Sequence, residues 1–351
     1  MPTSLRSAKR SAALIPGGPA LAVACLLLLG AGVAGCDSGS KKAAQSPPAR
    51  ISEKQVVRQI ATAANVRPGD FPPATGATLQ QLANTTSPGL QLGLASASLT
   101  PGRSRIAFGL IDPKGQFVYA PSVVYIAASP GVRARGPFPA PLDSMLVAPP
   151  FRSRNAAADP ATTAAVYATH VPLGDPGHYA MLVITRGPSG LLGSTAQVDV
   201  AARSPIPQVG AVAPAVATDT AASVGGNVAK LTTRIPADDM NKVSFSSVVG
   251  KRPVVLLFST PALCQSRVCG PVTDVALSLE RQYGGKVTFI HQEVYRDNQV
   301  KLGLRPPLQA FHLQTEPWLF TVDRHGRIAA RLEGAFGVNE FRQAIEAALG
   351  R

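Results

Sequence analysis

Four cysteines are the residues of this chain best suited to covalent chemistry: Cys25, Cys36, Cys264 and Cys269. The last two stand five positions apart. Such a pair can exchange with other disulfides, close a permanent disulfide, or bind a soft metal. Two residues five apart in an ideal α-helix point in different directions, and their Cα atoms exceed the disulfide limit of about 7 Å. A bond between them therefore needs a loop, with a helix starting afterwards. Gly270-Pro271 suits such a start, because proline is favoured at the first helical position. Cys269 is then expected at a helix N-terminus, where the dipole lowers a thiol pKa, and the Arg267 cation would also favour a thiolate.

Other residues make weaker cases. His291, His312 and His325 could join the sulfurs as ligands for copper. However, His291 falls within an expected strand and His325 at an expected turn, so copper is a lesser candidate and no metal site is assigned. A peroxidase would need a threonine three residues before the attacking cysteine; the residues there are Pro261 and Ser266. The sequence offers no phosphate loop, zinc spacing or convincing Ser/His/Asp set. Thiol exchange needs no cofactor, and none is expected.

The first cysteines have a different setting. Arg6, Lys9 and Arg10 precede an apolar run from Ala20 to about Val33, which ends in Val33-Ala34-Gly35-Cys36. This is the secretory order of basic head, apolar middle and small residues before a cut. The run is short for a membrane span of about 20 residues. It resembles the bacterial lipobox, and that resemblance implies cleavage before Cys36 and lipid on its thiol. Residues 1–35 are thus expected to be a lipoprotein signal peptide. Residues 36–85 are expected to be a lipidated tether and an irregular segment, and the location the outer face of a cell membrane. Cys25 leaves with the signal, so the mature chain keeps one local pair where disulfides can persist.

The net charge of +14 could suggest nucleic acid, but export argues against that partner. Anionic headgroups beside an anchored protein attract a basic surface. Abundant proline and glycine, 32 each, fit β-domains and linkers. Short apolar segments at 105–111, 117–126, 164–171, 178–185 and 196–201, separated by Pro/Gly turns, predict a β-sandwich over residues 86–203. The Pro-rich stretch 135–161 reads as a loop. Residues 204–227 read as an Ala/Pro/Gly linker with few contacts, so that residues 228–351 should fold alone. There the uninterrupted apolar run 253–258 predicts a strand buried on both faces. A helix over 272–283, a strand over 286–294, a hairpin over 318–333 and a helix over 339–349 follow.

Two resemblances arise from these segments. Val166-Tyr167-Ala168 followed by Gly177-His178-Tyr179-Ala180-Met181-Leu182-Val183 resembles the final hairpin of immunoglobulin-like envelope domains. The order of strand, cysteine pair, helix, strand, crossing segment, proline, hairpin and helix resembles thioredoxin over about residues 243–351. Its specific pieces are residues 258–271, holding both cysteines, and Thr315-Glu316-Pro317-Trp318. Closer still are actinobacterial-type thioredoxin-like lipoproteins with an immunoglobulin-like domain. The resemblance implies a cis Pro317 facing the cysteines, with Glu316 beside it opposing a thiolate, and Cys264 where the family's attacking cysteine stands. It implies thiol–disulfide exchange on exported proteins through Cys264 and Cys269. Thioredoxin has two residues between its cysteines and this chain has four, so which sulfur attacks stays open. A non-catalytic binding protein with a structural disulfide is the alternative. The expected architecture is an immunoglobulin-like β-sandwich followed by an α/β thioredoxin-like fold.

Overall fold

The computed structural model describes residues 52–154 and 163–351. The expected signal peptide, the expected lipidation site Cys36 and the start of the expected tether lie outside the described residues. Among the described residues no helix is long and apolar enough to cross a membrane. Residues Arg50–Arg351 form one compact unit.

Its first half holds two four-stranded antiparallel sheets, β1-β2-β6-β5 and β4-β3-β7-β8. The strands are β1 (Gln91–Leu94), β2 (Gly102–Ile111), β3 (Ser122–Ala127), β4 (Arg135–Pro139), β5 (Leu142–Ser144), β6 (Ala165–Leu173), β7 (Gly177–Gly187) and β8 (Gly190–Val200). Alternate side chains of both sheets meet between them: Ile106, Phe108 and Leu110 of β2, Tyr167 and Val171 of β6, Val124 and Ile126 of β3, and Met181 and Val183 of β7. Strand β3 has no polar face. Its Val123 and Tyr125 point the other way, against Phe71, Leu79 and Leu82.

That outer cover corrects the reading of residues 52–85 as irregular. Helix Glu53–Ala63 starts on a Ser52 cap and buries Ile60 and Ala63. Helix Leu79–Ala83 starts on a complete Thr78/Gln81 capping box. The prolines at 68, 72 and 73 interrupt helical periodicity without preventing packing, and the Tyr125 hydroxyl donates to the Pro72 carbonyl at 2.6 Å. The 135–161 stretch is likewise not only a loop, since it supplies β4 and β5.

The second half has a mixed sheet, β10-β9-β11-β12. Its strands are β9 (Val254–Phe258), β10 (Thr288–Gln292), β11 (Trp318–Val322) and β12 (Ile328–Glu333). β10 runs parallel to β9, and β11 is antiparallel to both β9 and β12. β9 is buried on both faces, as its unbroken apolar run demands. Val255 and Leu257 pack under helices Cys269–Tyr283 and Val338–Ala348. Val254, Leu256 and Phe258 pack against Phe245, Phe311 and Phe320.

Residues 204–227 are not a loose linker. Ile206 and Ala213 enter the second half's core. Residues 210–213 lie along β12: the Gly210 amide donates to Ile328 O, and the Ile328 amide to Ala211 O. Asp219 binds Arg305 and Gln292. A Pro/Ala/Val/Gly composition, read as flexibility, here lines an apolar face.

The halves are also joined by buried charge, which corrects the expectation that residues 228–351 stand apart. Arg105 of β2 grips Glu340 at 2.6 and 2.7 Å and reaches the carbonyls of Glu333 and Ala335. Asp143 of β5 accepts the Asn339 and Glu340 amides, capping the last helix from the other half. Ser153 and Arg234 share the buried Asp274 carboxylate. Gly334 has φ +70°, and a Cβ there would stand 1.7 Å from the Ala95 carbonyl oxygen, so this junction admits only glycine.

Candidate functional site

The two thiols meet at the C-terminal end of β9. The chain turns over 261–263, and the four residues between the cysteines form a loop, with Arg267 at φ 59°. The helix begins at Cys269. The loop expected from the spacing is therefore present, and Pro271 occupies the third helical position rather than the first.

The sulfurs are unequal. Cys264 is 9% exposed and Cys269 is 0% exposed. The Cys264 sulfur takes a hydrogen bond from the Cys269 thiol, lies 3.2 Å from the Ser266 hydroxyl, and faces the backbone amides of Cys269 and Val268. These donors, the Cys269 thiol first, outweigh burial and lower the Cys264 thiol to about 6. Cys269 moves the other way. Complete burial, then its bond to Cys264 and that sulfur's charge, push it well above the usual thiol range, although the Thr260 amide opposes this. The expectation that the helix N-terminus would activate Cys269 is thus corrected. The free amides at that terminus point at Cys264, which comes in from outside the helix, whereas Cys269 sits inside the first turn.

Glu316 and Pro317 lie at the same place. The Glu316–Pro317 bond is cis, and Pro317 is buried. Burial, then the charge of Cys264, raise the Glu316 carboxyl, and Glu316 in turn raises Cys269. Tyr295, which the sequence did not single out, is raised by burial and then by Glu316 and both sulfurs.

The turn before Pro317 is tied to the β half. The Trp318 indole donates to Thr315 Oγ1 at 3.0 Å, and Thr315 donates to Glu333 at 3.1 Å. Glu333 also accepts from the Ser98 amide and hydroxyl. Trp318 is buried and stacks on Phe320. A cleft of about 400 Å³ opens here, with Ser266, Val268 and Glu316 on one wall and Leu94, Gln197 and Asp199 on the other.

A second polar cluster sits behind the thiols. His291 of β10 binds Asp238 through Nδ1 at 2.9 Å, and its Nε2 faces Ser259 O at 3.1 Å and Ser259 Oγ at 2.9 Å. Ser259 pairs with Thr273, which donates to the Cys269 carbonyl. With Nδ1 on the Asp238 carboxylate and Nε2 beside the Ser259 carbonyl, which only accepts, these surroundings favour the doubly protonated imidazolium. Burial opposes that charge, but Asp238 overcomes it and raises His291 to about 9. Burial would likewise raise Asp238, but the facing His291 charge and the hydrogen bonds it receives hold it at about 2. His291 is thus a paired core residue. His312 and His325 are exposed. Among the described residues no group of three or more His, Cys, Asp or Glu could hold a metal ion.

No family model matches the chain, and no curated protein matches it. Among solved structures it is similar to the solution structure of the PKD domain from human VPS10 domain-containing receptor SorCS2. The identity is 14%, over 34% of this chain and 78% of that one, with a TM-score of 0.18; at that score the likeness carries no argument about fold or function.

Proposed function

We propose that this chain is a thiol–disulfide oxidoreductase acting on exported polypeptides, anchored by lipid on Cys36 at the outer face of a cell membrane. In this reading the second half is a thioredoxin-like fold and the first an immunoglobulin-like sandwich. The observation that carries it is the inequality of the two sulfurs: Cys264, 9% exposed, sits among the Cys269 thiol, the Ser266 hydroxyl and the amides at the helix start, which lower its thiol, whereas Cys269 is wholly enclosed, which raises its own. A permanent staple has no use for such a difference. The element order, and a cis-proline turn whose Glu316 interacts with both sulfurs, add support.

The chemistry needs no other group. The Cys264 thiolate attacks one sulfur of a substrate disulfide; that S–S bond breaks and the departing thiolate takes a proton. Cys269 then gives up its proton and attacks the Cys264 sulfur. The 264–269 disulfide forms and the second substrate thiol leaves, so the substrate is reduced as the protein is oxidised. The reverse sequence oxidises a substrate dithiol. The test is the reduction potential of the 264–269 couple against glutathione. A value among exchange catalysts, roughly −120 to −270 mV, supports the proposal, and one below about −300 mV marks a structural disulfide and overturns it.

A further inference from the structure

The edge of β8 away from β7 borders the cleft lined by Ser266, Val268 and Glu316, next to the cysteine loop. β8 is paired with β7 along its whole length, Gly190–Val200, without a bulge. Its other edge is held to the preceding chain at three points, one of them the Ser194 hydroxyl donating to the Leu90 carbonyl at 3.0 Å. Ser87 bridges to Leu192, and Leu99 bridges to Val200, both in parallel. Between them the chain leaves β8 and pairs with β2 instead, over Gln91–Leu94. The Gly193 amide reaches outward to Ser87 O, and the Ala201 amide outward to Leu99 O. Backbone groups alternate sides along a strand, so Thr195, Gln197 and Asp199 also present their N–H and C=O groups outward. All three residues are exposed. No ladder bond to them joins β8 to β1. Gln197, Val198 and Asp199 form the cleft wall opposite Ser266, Val268 and Glu316.

Natural sheets blunt long open edges with proline, lysine or bulges, and residues 194–199 have none of these. We infer that the open edge of β8 between Gly193 and Ala201 binds an extended segment of the substrate polypeptide as an added strand, leading its cysteine to Cys264. This rests on the exchange reading and specifies its substrate: an unfolded or extended chain, recognised through backbone hydrogen bonds and so tolerant of sequence. The bound strand carries one sulfur of a disulfide. The Cys264 thiolate bonds to that sulfur, and the other sulfur departs with the electron pair of the broken bond. Asp199 and Glu316 line the path, so positive residues beside the substrate cysteine are favoured.

The test uses the full chain with both cysteines reduced, and three activated aryl disulfides. One is small; one is on the cysteine of a short unstructured peptide; one is on the same peptide with alternate amides N-methylated. Exchange is followed by release of the aryl thiol. The small probe reports the reactivity of Cys264 itself. The unmodified peptide should react about tenfold faster than its N-methylated form, the size expected from losing one or two backbone hydrogen bonds. In Gln197→Pro, which removes an outward N–H from an edge position that tolerates proline, that ratio should fall toward one. Equal rates for the two peptides with the wild-type protein, which needs no variant to fold, would overturn the inference while a reactive small probe leaves the exchange reading standing. If the small probe is also inert, both fall. A concentration-dependent dimer abolished by Gln197→Pro would assign the edge to a second copy and overturn the inference as well.

Discussion

Two polar clusters flank the end of β9, and they use burial in opposite ways. Behind it, Asp238 and His291 are both charged and wholly buried, with each hydrogen-bonding direction of the ring filled. In front of it, the Cys264 sulfur collects donors while the residue keeps 9% exposure, and wholly buried Cys269 is pushed away from its charged form. In the first cluster the partners are fixed in complementary states, so the charge has nowhere to go. In the second the donors stabilise a charge that a bond to another sulfur would remove. A locked ion pair next to an asymmetric thiol pair separates what holds the loop from what reacts. Ser259 and Thr273 connect the two, so the rear cluster positions the strand end and the first turn of the cysteine helix.

The largest effect expected is at the sulfurs. Cys264→Ser should abolish exchange and form no mixed disulfide, whereas Cys269→Ser should still attack and accumulate the mixed disulfide on non-reducing electrophoresis. Equal trapping by the two variants would erase the contrast between them. The next effect concerns stability. Asp238→Ala leaves a buried imidazolium unpaired and should cost about 3–5 kcal/mol in urea denaturation. Arg234→Ala should cost a similar amount by stranding Asp274; because Asp274 also holds Ser153 and Arg234 reaches the Phe151 carbonyl of the first half, wild-type and variant should each melt in one transition. Separate transitions of the two halves would contradict the single unit.

A pH series sharpens the comparison further. His291 is raised from 6.5 to about 9, so its contribution is complete below about 6.5 and is lost as pH rises through about 9. Asp238 is lowered from 3.8 to about 2, so its contribution is complete above about 3.8 and is lost as pH falls through about 2. Unfolding free energy from this pair should be flat between these limits and fall on both sides, and His291→Gln should remove the alkaline fall. The smallest effect is at Glu316. Glu316→Gln removes a carboxyl that opposes Cys264, so the pH at half-maximal exchange rate should move down, by a fraction of a unit. An upward move would mean that Glu316 aids the thiolate.

Much of this arrangement was readable from residue order. The run at 253–258 announces a strand buried on both faces and a bond between the cysteines requires a loop, whereas the place of Glu316-Pro317 beside the pair is implied only by the thioredoxin resemblance. Which sulfur is activated stays open in the sequence, and the dipole effect expected at Cys269 falls on Cys264 instead, because a helix N-terminus offers its amides to whatever approaches from outside, and only three dimensions show that Cys264 does so. Ser98, Glu333 and Tyr295 were missed, since their contacts with the site come from distant segments. The Asp238–His291 pair spans 53 positions and leaves no periodic trace. The strap at 204–227 misled for a different reason: alanine, valine and proline can line an apolar face as well as they can form a flexible linker.

The most direct measurement is the titration of the thiols in the reduced wild-type protein, followed by thiolate ultraviolet absorbance across pH. The account predicts one thiolate appearing with a midpoint near 6 and no second one until well above the usual thiol range. Iodoacetamide labelling across the first step should map to Cys264. Two thiols titrating together near about 8.5, or labelling at Cys269 first, would contradict it.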